Sequence, residues 1–330
     1  MRKASVHRVI VAMPVVATSL LLVAGCGAQG TEIEVSGSST VAPITEAIAR
    51  DGGFNVTVTA EGTTDGFARF CTGETPLNNA SEAIPGAGQR VDYVAMCAEN
   101  GVEFIELPIG IDALSVVRNE ANRFAQDLSV SELREIWAPG SAVSNWSDVR
   151  DEWPDTPIGL YGRPDGSGTF DYFTHFIVGE AGSIRDDYQS TDAMDELTQW
   201  IADDENALGF LGIGNYLSAD EDVRDRITNV AVDGVFPSLS NAQDGRYTPL
   251  TRPLFVYVST SALEENPEVA SFVEHYLKTA QAMLPRVYFY PLQGEVYPLV
   301  QQRFDDRITG TLLGGDPYSS VSIIDTLQAQ

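Results

Sequence analysis

The chain has 330 residues, enough to bury a large core and to divide into two domains. Its 20 lysines and arginines face 47 aspartates and glutamates, a formal net charge of −27. A surface of that sign repels nucleic acid and anionic membranes, so both are poor partners. Affinity for an anion must be built locally, because salt screens exposed charge beyond about 8–10 Å.

Residues 1–8 carry Arg2, Lys3 and Arg8, and residues 9–24 are an apolar run ending in Val23-Ala24-Gly25-Cys26. A basic start, a short apolar run and small residues at its end predict an export signal over 1–25. The run is shorter than the roughly 20 residues a spanning helix needs. The Val-Ala-Gly-Cys ending resembles a bacterial lipobox, which implies cleavage before Cys26 and a lipid on its sulfur; an uncleaved anchor helix is the alternative. Residues 26–31 then form a lipidated tether that leaves the folded part soluble. Cleavage removes three basic residues and no acidic one, taking the net charge from −27 to −30.

Glu32–Ser36 reads as a strand, followed by Gly37-Ser38-Ser39-Thr40 and a helix marked by Val41, Ile44, Ala47 and Ile48, with Pro43 in its first turn. Asn55–Ala60 alternates as a second strand, then Gly62-Thr63-Thr64-Asp65-Gly66 leads into Phe67 and Phe70. A third turn, Arg163-Pro164-Asp165-Gly166-Ser167-Gly168-Thr169, precedes Phe170, Phe173, Phe176 and Ile177, which predict a helix from about Thr169 to Gly179. Such turns present unpaired backbone N–H groups, hydroxyls and the positive end of a helix dipole. Arg163 adds a planar fork suited to a tetrahedral oxyanion. Every group offered is a donor. One turn alone is equally a capped helix after a glycine; three after strands point to a convergent anion cradle.

With Cys26 lipidated, Cys71 and Cys97 remain in an exported chain, and two thiols there predict a disulfide rather than two separate buried thiols. It would staple the loop Thr75–Glu82 to a helix over Arg90–Asn100. The only histidines, His7, His175 and His275, have no ligand spacing, so no metal site is expected. No cofactor is expected either.

Gly-Ser-Ser-Thr-Val-Ala-Pro, Arg-Phe-Cys-Thr-Gly-Glu-Thr, Asn-Ala-Ser-Glu and Gly-Arg-Pro-Asp-Gly-Ser-Gly-Thr stand in the order seen in phosphate-binding proteins of bacterial phosphate ABC importers. Ala207–Gly212, Pro249–Phe255 and Tyr297–Gly310 agree, so the resemblance covers roughly 32–315. It implies an α/β, two-domain periplasmic-binding-protein fold of the class II type, with two chain crossovers and a ligand cleft between the domains. It also implies an extracytoplasmic protein that captures inorganic phosphate for a membrane permease and ATPase, acts as a monomer, and sits at the outer face of the cell membrane through Cys26. Carried over motif by motif, the phosphate contacts fall on Ser39, Thr40, Thr63, Arg163, Ser167, Gly168 and Thr169, with Asp165 bracing Arg163. Glu82 stands where some relatives carry an aspartate that accepts the ligand's proton and many carry arginine. Being one methylene longer than aspartate, it either reaches the site or points to solvent.

Past Gly101, Glu103–Leu107 and Ile111–Val117 read as strands separated by Pro108-Ile109-Gly110, with a crossing between domains near Gly110–Leu114. Helices follow over Ser131–Trp137 and Asp192–Ala202, and Ala207–Ile213 is a buried strand. The chain returns near Pro249–Pro253 into the strand Leu254–Val258, then helices over 267–283 and 295–307. This places domain one at 32–110 and 251–330 and domain two at 111–250, with a loosely ordered tail from Gly314. An enzyme is the main rival. Yet Ser167 lacks the Gly-x-Ser-x-Gly elbow, His175 lies off the helical face that Thr169 begins, and the mature chain has one lysine, Lys278. The other rivals are a binder of sulfate or molybdate and a sensor or adhesion lipoprotein on the same fold.

Overall fold

The computed structural model describes residues 31–319 and 321–330. The expected signal peptide, the lipidation site Cys26 and tether residues 26–30 lie outside them. Three strand–helix units open the described chain: β1 (Ile33–Gly37) with α1 (Ala42–Gly52), β2 (Val56–Thr59) with α2 (Thr63–Cys71), and β3 (Leu77–Ala80) with α3 (Tyr93–Glu99). The apolar residues Val41, Ile44 and Ile48 are fully buried along one face of α1 and its cap. Gly53, at φ 70°, ends that helix by donating to the carbonyls of Ala49 and Arg50. β3 replaces what the sequence presented as part of a loop. Its Asn78 and Asn79 are polar yet fully buried, because the strand lies inside the sheet between neighbours on both sides.

β4 (Phe104–Asn119) is one 16-residue strand where two were expected. Pro108 is tolerated because the pairing slips there: Leu254 faces Gly110 and Phe255 faces Pro108, leaving Ile109 as a bulge. After α4 (Val130–Trp137) come β5 (Gly159–Gly162), α5 (Gly168–Phe173), α6 (Met194–Asp203) and β6 (Ala207–Gly212). A turn of π-helix, Thr174–Val178, continues α5 to Gly179. β7 (Thr251–Ser259), α7 (Pro267–Met283) and α8 (Val296–Asp305) follow. The tail is more ordered than expected. It holds α9 (Ile323–Gln328), whose Leu327 is buried, and Arg303 donates to the Gln330 side chain at 2.6 Å.

Among the described residues the strands form a nine-stranded sheet in the order β2-β1-β3-β7-β4-β6-β5, with Gln189–Ser190 at the far edge and Ile227–Asn229 also pairing on β4. β1 runs parallel to β2 and β3, and β5 parallel to β6; β7 is antiparallel to both β3 and β4. β4 belongs to both halves, pairing with β7 over Phe104–Ala113 and with β6 over Leu114–Arg118. Buried apolar side chains separate in the same way. One cluster draws on residues between 33 and 109 and between 254 and 327; the others draw on residues between 113 and 250. Among the described residues no helix is long and apolar enough to cross a membrane.

Cys71 and Cys97 are joined, tying the last residue of α2 to α3 inside the first cluster. Closing a loop of this separation, 26 residues, restricts the unfolded chain by about 3.5 kcal/mol in the loop-entropy treatment. Replacing both cysteines by alanine is therefore expected to lower the unfolding free energy by about 3 kcal/mol. Urea titration of the two proteins checks this; equal midpoints would refute it.

Candidate functional site

β1, β2 and β3 are parallel neighbours, so the turns that leave them open on one edge of the sheet. The first turn holds Ser39, half-buried, and Thr40, buried, whose N–H donates to Ser38 Oγ at 3.2 Å. The second holds Gly62 at φ 107°, a conformation that suits glycine, and Thr63 at the start of α2. Ser81 follows β3, and its Oγ lies 3.0 Å from Thr63 Oγ1.

The other half brings the Arg163–Thr169 loop against these turns. Arg163 is 2 % exposed, and its Nη2 donates to Ser39 Oγ at 2.8 Å across the two halves. Its Nε donates to Ser167 Oγ at 3.3 Å, and the same oxygen caps α5 by accepting from Thr169 N at 3.3 Å. A Cβ at Gly168 would lie 2.7 Å from Ser81 Oγ and 3.0 Å from Thr63 Oγ1, so only glycine lets the loop come this close. Gly62 and Gly166 meet beside it: a Cβ on Gly62 would stand 3.0 Å from the Gly166 carbonyl. Thr169 Oγ1 accepts from Arg252 Nη2 at 2.6 Å. Ser39, Ser167 and Thr169 thus each accept a bond from an arginine, which leaves each hydroxyl proton free to donate.

Glu82 is 3 % exposed and does not point to solvent. It lines a cavity of about 60 Å³ with Thr64, Arg90, Tyr93, Asp171 and Tyr318, and its Oε2 has no hydrogen-bond partner. Asp165 departs from expectation. It is exposed and accepts from Arg90 Nη1 at 3.2 Å, because the loop turns its side chain outward. The brace of Arg163 is Asp192, whose Oδ1 accepts from Nη2 at 2.6 Å and whose carbonyl accepts from Nη1 at 3.2 Å. Burial pushes the Arg163 guanidinium down in pKa and Asp192 opposes it.

Sequence reasoning named neither Asp192 nor Ser81, Arg252 or Asp112 as part of this cluster. Ser81 stood inside Asn-Ala-Ser-Glu and Arg252 inside Thr-Arg-Pro, so both segments carried a signal. Asp192 is one acid among many and carried none.

A family model described as PBP superfamily domain matches residues 23–278. Protein SphX of Synechocystis sp. is 37% identical over 320 residues, covering 94% of each chain. The chain belongs to the PBP superfamily, in the family of SphX and PstS. Phosphate-binding protein PstS of Staphylococcus saprophyticus is 28% identical over 87% of this chain and 91% of that protein. Among solved structures, a possible phosphate binding protein from Planctomyces limnophilus is 36% identical with a TM-score of 0.63, over 84% of this chain and 99% of the other. An ABC-type phosphate transport receptor from Vibrio cholerae, 19% identical with a TM-score of 0.60, shares the α/β fold over 78% of this chain and 99% of its own.

In this PBP superfamily chain the acid at position 82 is held in its neutral form over a wide range. Burial pushes its pKa up to about 8 and the nearby Asp171 adds to the rise, while Arg252 and Arg90 oppose it. Asp171 is raised too, first by its own burial. A carboxyl raised from 4.5 to about 8 binds more protons folded than unfolded between those values, so folding stability falls as pH rises through that window. Glu82→Gln removes this titration. The variant is expected to show a flatter loss of stability between pH 5 and about 8 than the parent chain. Urea midpoints across that range check it, and parallel curves would refute it.

Proposed function

We propose that this chain is an extracytoplasmic solute-binding protein that captures inorganic phosphate and hands it to the permease and ATPase of an ABC importer. The observation that carries the reading is the donor cluster joined across the two halves. Ser39, Thr40 and Thr63 come from one side and Arg163, Ser167, Gly168 and Thr169 from the other. A buried divalent anion is costly unless each oxygen is hydrogen-bonded, and neutral donors with one arginine meet that need without a basic patch. The phosphate-binding relatives support it, and a protein of this family binds rather than catalyses. Asp192, in place of Asp165, supports Arg163.

The finer architecture is part of the proposal: a class II arrangement of domain one (32–110 and 251–330) and domain two (111–250), with crossings in β4 and before β7. The separate apolar clusters support those boundaries. Donors divided between the domains give closure its cause, because only the closed form completes the cage. Cleavage before Cys26 and lipid on its sulfur would hold the monomer at the outer face of the membrane. Replacing Cys26 by alanine is expected to move the protein from the membrane fraction to the medium; retention in the membrane fraction would refute lipidation there.

Glu82 sets selectivity through its proton. Ionised, it accepts a bond from the proton that phosphate carries and repels sulfate, which carries none. Neutral, it donates to either anion. Sulfate binding is therefore accompanied by proton uptake, and rejection of sulfate strengthens as pH rises through about 8. Titration of phosphate-stripped protein with phosphate and sulfate at pH 6 and 9 tests this. Phosphate is expected to bind at both, with sulfate losing affinity at the higher pH and Glu82→Gln abolishing that loss. Arg163→Ala is expected to weaken phosphate by about 100-fold or more, the size of a lost charge-assisted pair. A parent chain that binds no phosphate would overturn the assignment.

A further inference from the structure

Arg252 and Asp112 stand directly opposite one another in the β7–β4 register, at the place where β4 passes from one half to the other. Both side chains are fully buried. Arg252 Nη2 and Nε donate to Asp112 Oδ2 at 3.0 and 3.3 Å. The rest of the guanidinium reaches out of the strand pair to the start of α5: Nη1 donates to the Gly168 carbonyl at 2.5 Å and Nη2 to Thr169 Oγ1 at 2.6 Å. The Tyr172 ring covers it, 5.6 Å away.

We infer that Arg252, held by Asp112, is a positioning residue that turns the Thr169 hydroxyl toward the bound anion. This rests on the phosphate reading above. Thr169 Oγ1 has one proton and two lone pairs. Arg252 occupies the acceptor side, so the hydroxyl cannot turn its proton toward the strands and presents it on the opposite side, beside Ser167. The Gly168 bond fixes the first turn of α5 that carries both residues. Asp112 cancels the charge of Arg252, so the pair contributes direction rather than a second positive charge. Being anchored on β7 and paired with Asp112 on β4, the guanidinium ties Thr169 to the sheet as well as to its own loop.

The experiment is a double-mutant cycle on phosphate affinity, by calorimetry on phosphate-stripped protein. One arm is Arg252→Gln with Asp112→Asn, which removes both charges together so that neither is buried alone. The other arm is Thr169→Val. Each arm is expected to raise the phosphate Kd by about 10- to 100-fold, and their combination by no more than about threefold beyond the larger. Thr169→Ser, which keeps the hydroxyl, is expected to restore most of the affinity in the parent background but not in the Arg252→Gln/Asp112→Asn background. Fold losses that simply multiply would overturn the inference, because the pair would then act independently of the Thr169 hydroxyl. If the charge-free arm does not fold, Arg252→Lys serves in the same cycle, since it keeps the charge and loses the fork. A parent chain that binds no phosphate defeats the underlying reading instead, and an additive cycle in a phosphate-binding parent defeats only the role of Arg252.

Discussion

The pairing of β4 with β7 is the constraint on which the rest of the molecule depends. One continuous strand supplies hydrogen bonds to both halves of the sheet, so the halves are linked by backbone rather than by a free linker. The Ile109 bulge lets a proline sit inside this strand without a missing ladder bond in register. Arg252 and Asp112 close the strand pair at its crossing. Burying a single member of such a pair costs about 3–5 kcal/mol, which makes the two interdependent rather than strongly stabilising.

What meets where the two halves join is chemically one-sided. Hydroxyls, a glycine-lined approach and two guanidiniums converge, while the acids of this acidic chain are elsewhere or paired. Arg163 is restrained by Asp192 and Arg252 by Asp112, so each guanidinium keeps its direction. The exception is Glu82, buried with an unbonded oxygen near Asp171. Two acids close together in low dielectric keep a proton between them. Arg90 faces them from the cavity mouth, 3.9 Å from Asp171 and 3.2 Å from Asp165, and so spans the two halves on the exposed side.

Local periodicity determined α1, α2, α7, α8 and the strands β1, β2 and β6, because apolar spacing and glycine or proline placement are properties of short segments. The turn residues Ser39, Thr63, Arg163, Ser167 and Thr169 were visible for the same reason: each follows a strand and opens a helix. β3 was not visible, since buried asparagines break the apolar pattern of a central strand. The continuity of β4 was not visible either, since Pro108 reads as a break until a partner strand absorbs it with a bulge. Only the tertiary structure decided that Asp192 rather than Asp165 holds Arg163, that Glu82 is buried beside Asp171, and that Arg252 reaches Thr169. Each of these is a contact between residues distant in the chain or on opposite halves. No short-range pattern encodes which of many acids comes to lie against a given arginine; the packing of the two halves does.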